Sequence, residues 1–383
     1  MKNVLLVFGG KSYEHEISVV TAFQIYKKSR LDDVNLILFY VSRDNRFYVC
    51  NKNKVKLSDF SLKNFTNQKK KFKEVCFVSG EKKKIFAKTR FGLKEYLEAD
   101  VAIFCCHGGD GENGRLVTYF EMMGVSCSAG TSDALAVCMD KILFKNTMKG
   151  LKIPVVAGFE VNKNCYLKNK DCFENYLKFY KFPLIVKVNS GGSSIGVFIA
   201  NNRTELDEKL IQAFEFDDNV VVEKFIKNAR EFNVAVIGND NKYFVSEIDE
   251  PIKENELLTF ADKYLKSDSK NVKGEKSGMD LSKRKFPADV SDDLRENIRK
   301  IAAKIFCSIG LRGVVRIDFL LDEVKNKLYV CEVNAVPGSL AYYFFNKSRV
   351  ATNDLIYRLI SIAEEGGVNR EIDKNFIANI LDQ

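Results

Sequence analysis

Short apolar runs alternate along this chain with stretches in which apolar residues return every third or fourth position. Residues 4–8, 35–41 and 101–106 show the first pattern, that of strands buried on both faces. The first of these ends in Gly9-Gly10, and Ser12 then opens a stretch with Ile17, Val20 and Phe23 at helical spacing. A helix from about Thr131 is expected to carry Leu135, Cys138, Met139 and Leu143 inward, ahead of a strand at 183–188 and a glycine-rich turn. Residues 232–237 and 243–248 predict a hairpin about Gly238-Asn239-Asp240-Asn241. A helix over 292–309 is capped by Ser291 and stopped by Gly310. Residues 51–98 are lysine-rich and irregular, the pattern of an insertion or an elaborated sheet edge. The layout is α/β with an α+β character, and ligands in such folds gather beyond the carboxyl ends of the strands. No internal repeat is present, and three domains are expected around a cleft: 1–129, 130–226 and 227–383.

The chain has 383 residues, too many for one compact core, and 46% of them are hydrophobic against 29% charged, which excludes a disordered protein. No apolar run approaches a bilayer span and the first residues lack a signal-peptide layout, so a cytoplasmic protein with no membrane partner is expected. Ten cysteines lie mostly in apolar runs without a Cys-x-x-Cys pair, and only two histidines, His15 and His107, are present. Reduced structural thiols are expected, and a zinc site is not. The net charge of +9 could attract nucleic acid, but the lysines are scattered without interleaved aromatics. Attraction for anionic small molecules is the simpler consequence.

Residues 315–334 hold the most informative pattern. Polar and apolar positions alternate in Val315-Arg316-Ile317-Asp318-Phe319 and again in Cys331-Glu332-Val333-Asn334, around a polar turn at Lys325. Antiparallel pairing about that turn sets Asp318 opposite Glu332 and Arg316 opposite Asn334, all on one face. Two carboxylates and an amide oxygen there could hold Mg²⁺ against nucleotide phosphates, with the guanidinium neutralising developing charge. An amphipathic hairpin with surface ion pairs would show the same alternation. Lys187 and the loop Ser190-Gly191-Gly192-Ser193-Ser194-Ile195-Gly196 offer a lysine and N–H groups to phosphates, though without P-loop spacing, and a Gly-Ser linker is the competing reading.

Taken in order, Gly9 to Ser18, His107-Gly108 with Gly111-Glu112-Asn113-Gly114, Met139-Asp140-Lys141, the Lys187 to Gly196 loop, Glu223-Lys224-Phe225-Ile226, Arg316-Ile317-Asp318 and Glu332 to Gly338 resemble the D-alanine:D-alanine ligases of the ATP-grasp superfamily. The resemblance covers nearly the whole chain except the lysine-rich segment and a tail after about residue 365. It implies an ATP-grasp fold with the active site in the cleft between three domains, ATP with two Mg²⁺ or Mn²⁺ ions, D-alanine as substrate and a homodimer.

It also implies roles. Glu14 matches the carboxylate that receives the first substrate's ammonium, and Ser193 and Tyr264 match the serine and tyrosine linked to it. Lys141, Lys187 and Lys263 match phosphate-contacting lysines, with Ser194 in the loop beside them. Glu223, Lys224, Phe225 and Ile226 match the adenine hinge, and Glu231 the ribose acid. Asp318, Glu332 and Asn334 match the metal ligands, while Arg316 and the Gly338 N–H match the stabilisers of the tetrahedral intermediate. His107 matches a histidine near the first substrate. After Gly338 the chain departs from the usual pattern: Ser339-Leu340 follows at once, where the family places Met/Phe-Thr and, several residues later, a Ser-Leu pair on the second substrate's carboxylate. The loop over 260–268 is also more charged than the family norm. A ligase using D-lactate, D-serine or another amino acid as second substrate stays open, although Tyr264 argues against the lactate type. A non-catalytic nucleotide binder would lose metal ligands, and none is lost; a basic nucleic-acid binder would need a clustered positive face.

Overall fold

The computed structural model describes residues 1–65, 70–252, 284–347 and 351–366. Three sheets organise them, each over its own apolar cluster.

The first sheet contains β1 (Lys2–Gly9), β2 (Val34–Val41), β3 (Phe47–Cys50), β4 (Phe72–Phe77), β5 (Lys84–Thr89), β6 (Gly92–Glu98), β7 (Val101–Phe104) and β8 (Ser126–Cys127), in the order β6-β5-β4-β3-β2-β1-β7-β8. β1 runs parallel to β2 on one side and β7 on the other, so the strand order reverses at β1. Loops leaving the carboxyl ends of β1 and β7 therefore share one crevice, the usual ligand position in such a sheet. The first loop leads into α1 (His15–Lys28), whose buried stripe includes Ser18, Val19, Ala22 and Phe23, while Ile17 and Val20 are only half-buried. The lysine-rich segment is an elaborated edge: residues 51–65 are turns and a short 3-10 helix (Leu57–Phe60), as irregular as expected, while β4, β5 and β6 extend the sheet antiparallel from β3. The alternation of Val75 and Phe77 on one face, with Phe72 buried on the other, is short enough among lysines to be hidden by the charge.

One departure matters for the site. After α2 (Arg115–Met122), the helix expected from Thr131 is two helices, α3 (Ser132–Met139) and α4 (Lys141–Gly150). Asp140 breaks it by capping α4, its Oδ1 accepting the Leu143 N–H at 2.8 Å, and the change of direction leaves Leu143 45% exposed instead of buried. Lys141 becomes the first residue of α4.

The second sheet, β11-β10-β12-β9, is antiparallel and contains β9 (Gly158–Asn162), β10 (Leu184–Val188), β11 (Val197–Ala200) and β12 (Asn219–Lys224). α5 (Lys163–Lys168), α6 (Glu174–Leu177) and α7 (Arg203–Ala213) complete this unit. The third sheet, β15-β14-β13-β16-β17, contains β13 (Arg230–Gly238), β14 (Tyr243–Pro251), β15 (Arg284–Lys285), β16 (Gly313–Asp322) and β17 (Lys327–Asn334). β13 and β14 are the expected hairpin, and α8 (Asp292–Ser308) has its expected cap, Ser291 Oγ accepting from Leu294 N.

The cores cross the sequence order. Phe144 and Met148 of α4 pack under the third sheet, while α9 (Tyr342–Lys347) and α10 (Thr352–Glu365) send Phe344, Leu355 and Leu359 into the first. The contact is tight where β16 begins: a Cβ on Gly313, φ 83°, would lie 1.9 Å from the Ser128 carbonyl oxygen.

In the first core, the Phe120 ring meets Phe77, Phe39 and Phe104 at 5.1, 5.5 and 5.5 Å between centroids. Phe120→Ala should cost about 3–5 kcal/mol of stability, read as a lowered urea midpoint; a shift under about 1 kcal/mol would mean that the cluster collapses to fill the gap.

Candidate active site

The β16–β17 hairpin has the expected register, Asp318 opposite Glu332 and Arg316 opposite Asn334. Arg316 is buried and donates from Nε and Nη2 to the two oxygens of Asp318, each at 2.7 Å. Burial opposes its charge, but the Asp318 carboxylate outweighs burial and raises the guanidinium well above its ordinary pKa. Asn334 Nδ2 donates to Asp318 at 3.2 Å. Asn233, opposite Asp318 on β13, reaches it at 3.1 Å when its amide nitrogen is turned that way.

A cleft opens above this face, between the second and third sheets. Lys187, Ser194, Glu223, Lys224, Phe225, Ile226, Glu231, Asp318 and Glu332 all line it. A smaller neighbouring cavity shares Lys141, Gly191, Gly192, Arg316 and Glu332 with the cleft, and adds Glu14, His107, Glu112, Ser193, Asn334 and Gly338. The two spaces are thus contiguous, with the hairpin's polar face beneath both.

Glu14 enters this second cavity from the loop after β1, and the Ser193 hydroxyl donates to its Oε1. The glycines around it leave the necessary room: a Cβ on Gly192 would come within 2.5 Å of Glu14 Oε2, and one on Gly108 within 2.8 Å. Ser193 and Ser194 have φ of 50° and 61°, a left-handed turn in the Gly-Ser loop, whose Gly191, Gly192 and Ser193 line the cavity. The Lys141 ammonium donates to the Gly191 carbonyl, and Asn189 Oδ1 accepts the Ile142 N–H at 3.0 Å, tying this loop to the start of α4.

Glu223 has a different surrounding from that of an exposed hinge acid. Its carboxylate is buried between Lys187 Nζ at 2.9 Å and Lys145 Nζ at 2.8 Å. Burial alone would raise its pKa, but Lys187 and Lys145 together pull it down to about 2. Lys187 is thereby fixed at the floor of the cleft. His107 is buried and neutral: loss of solvent and the nearby Arg316 charge bring its pKa to about 4, against a hydrogen bond to the Val336 backbone that favours the proton.

The donors fit a hard divalent cation. Asp318, Glu332 and Asn334 offer two carboxylates and an amide oxygen, a partial set, and no group of three His, Cys, Asp or Glu side chains among the described residues is placed to hold a metal ion. Phosphate oxygens would complete such a partial set.

Two family models cover the chain in order, "D-ala D-ala ligase N-terminus" over residues 3–129 and "D-ala D-ala ligase C-terminus" over 147–361. The chain belongs to the D-alanine–D-alanine ligase family. It is 34% identical over 384 residues to the D-alanine–D-alanine ligase of Thermosipho melanesiensis, covering 100% of this chain and 98% of that one. It is 36% identical over 366 residues to that of Thermosipho africanus, covering 95% and 94%. The solved D-alanine–D-alanine ligase of Coxiella burnetii superposes with a TM-score of 0.78 over 96% of this chain and 94% of its own, at 23% identity, which establishes the shared ATP-grasp fold. The D-alanine–D-alanine ligase family uses ATP, usually with Mg²⁺.

Among the positions that the family resemblance singled out, Lys263 and Tyr264 lie outside the described residues. The Leu340 side chain, 2% exposed, is buried in the first core and does not line the cleft. Ser339 instead faces α1, where the Gln24 side chain meets its hydroxyl. Lys145, Asn233 and Glu112 carry geometry that no sequence role anticipated. Lys145 follows Lys141 by one helical turn, the single signal that could have marked it.

Glu112 joins two loops of this ligase-family site, accepting the Gly108 N–H at 2.8 Å and the Val336 N–H at 3.3 Å. Burial, with the Glu14 carboxylate nearby, pushes its pKa from 4.5 up to about 7. The folded chain therefore holds more protons than the unfolded one between those values, so stability from this group is complete below pH 4.5 and is lost as pH rises toward 7. Glu112→Gln should flatten that part of the pH–stability curve, measured by thermal melting across pH 4–8; an unaltered slope would assign the titration to another group.

Proposed function

We propose that this chain ligates two D-alanine molecules to D-alanyl-D-alanine with conversion of ATP to ADP and phosphate, supplying peptidoglycan precursors in the cytoplasm. The observation that carries it is the adjoining of two spaces, one with Glu14 and Ser193 and one with Lys187 and the hinge residues, over a single floor of Arg316, Asp318, Glu332 and Asn334. A carboxylate to be activated and a phosphoryl donor meet only at such a boundary. The γ-phosphoryl group passes to the carboxylate of the first D-alanine; the amine of the second then adds to the acyl carbon, loses its proton, and phosphate leaves.

Catalysis of this kind is positioning and charge stabilisation, so it requires cations and N–H donors and no nucleophilic side chain. Glu14, held by Ser193, receives the ammonium of the first substrate, with Tyr264 completing the set and His107 beside it. Lys141, Lys187, Lys263 and Ser194 contact phosphates; Glu223, Lys224, Phe225 and Ile226 form the adenine hinge, Glu223 from its lysine clamp, and Glu231 binds the ribose. Asp318, Glu332 and Asn334 would hold two Mg²⁺ or Mn²⁺ ions, which would lower the charge on the phosphates. Arg316 and the Gly338 N–H face the oxygen of the tetrahedral intermediate, and Ser339 meets the second substrate. Three sheets, one within each of the domains 1–129, 130–226 and 227–383, support that division, with α4 packed in the third core and α9 and α10 in the first. No described helix is long and apolar enough to cross a membrane. A homodimer without nucleic-acid or membrane partners completes the proposal.

Phosphate release from ATP should saturate with D-alanine and be absent with L-alanine; run with D-serine and D-lactate as acceptors, the same assay identifies the second substrate, and no D-alanine dependence would overturn the assignment. Glu332→Gln keeps the side chain's shape but removes a charge from the ligand set, so turnover should fall by at least about a hundredfold with the melting temperature preserved. An unchanged rate would place the metal elsewhere.

A further inference from the structure

Ser339, Leu340 and Ala341 have φ of 55°, 49° and 49°, three successive left-handed residues with side chains. Such backbone persists only when its surroundings hold it. Two residues of α1, one turn apart, supply that hold. Thr21, 1% exposed, accepts the Ser339 N–H on Oγ1 at 3.1 Å and lies 2.9 Å from His107 Nε2. The Ser339 hydroxyl meets Gln24 Oε1. Thr21 Oγ1 and His107 Nε2 share one hydrogen bond, its direction set by the imidazole tautomer. One side chain thus joins the wall of the first-substrate cavity to the segment that follows Gly338.

We infer that Thr21 and Gln24 are positioning residues that set selectivity for the second, acceptor amino acid through Ser339, an inference that rests on the ligase reading above. As oriented here, the Ser339 hydroxyl donates to the Gln24 carbonyl oxygen. Turned by half a rotation, the Gln24 amide donates to Ser339 Oγ instead and leaves the hydroxyl hydrogen for the acceptor's carboxylate. Gln24 therefore decides whether an anionic acceptor is met by a donor or by an occupied hydroxyl. The placement of Ser339 directly after Gly338 makes α1 its support, in place of the residues that the usual family pattern inserts there.

The test is steady-state kinetics that separate the two D-alanine sites at saturating ATP. In Gln24→Glu the side chain can only accept and carries a like charge beside the acceptor carboxylate, so the acceptor KM should rise by about tenfold or more, with ATP KM and first-site affinity within about twofold. Gln24→Met should give a smaller rise of the same kind, and Thr21→Ser should retain the acceptor KM that Thr21→Val loses. With D-serine competing, Gln24→Glu should also change the ratio of the two dipeptide products. An unchanged acceptor KM in a folded Gln24→Glu protein, or equal losses at all sites together with a lowered melting temperature in both Gln24 variants, would overturn the inference. A wild-type chain with no D-alanine-dependent phosphate release would instead overturn the ligase reading, and this inference with it.

Discussion

A carboxylate taken out of water at the junction of three sheets must be paired or must keep its proton, and that constraint shapes the whole cleft. Three acids meet it in three ways. Asp318 takes a buried guanidinium in a two-pronged clamp. Glu223 is held between two lysines and stays ionised far below its ordinary range. Glu112 meets, among the described residues, backbone N–H donors and neighbouring carboxylates, and moves toward neutrality near pH 7. Each solution fixes a different loop, so electrostatic necessity and geometric precision come from the same contacts.

These pairings also explain why the cleft is pre-shaped for anions. Lys187, which could swing freely from an exposed strand, is anchored by Glu223, and Lys141 is tied to the Gly191 carbonyl at the start of α4. Cations fixed in advance need little reorganisation when charge develops on a phosphoryl or acyl group. The glycines at 108 and 192 serve the same end from the opposite side, by leaving Glu14 the space that any Cβ would fill. The loops after β1 and β7 can face this floor because both strands leave the first sheet at its point of reversal.

Much of this was legible in the residues themselves. The hairpin register, the Ser291 cap, the β13–β14 turn and the strands at both ends of the parallel core follow from local alternation and capping, and all were found in place. The break at Asp140 was not anticipated, because Leu143 continues the helical spacing while Asp140 is equally good as a cap and as a surface residue. Order within the lysine-rich edge was concealed for a similar reason: charge hides a short inward alternation.

By itself the sequence determined what depends on neighbours along the chain: the polar face of the β16–β17 hairpin, the start of the helix after Ser291, and that Asp318, Glu332, Arg316 and Asn334 share a surface. The ordered motifs added the family. Only the tertiary structure decided which distant charges neutralise one another. Lys145 with Glu223, Glu112 with the Val336 amide, and Thr21 and Gln24 with Ser339 are joined across long separations in sequence. Burial and pairing are properties of the packed interior, and no period of two or of 3.6 residues encodes them.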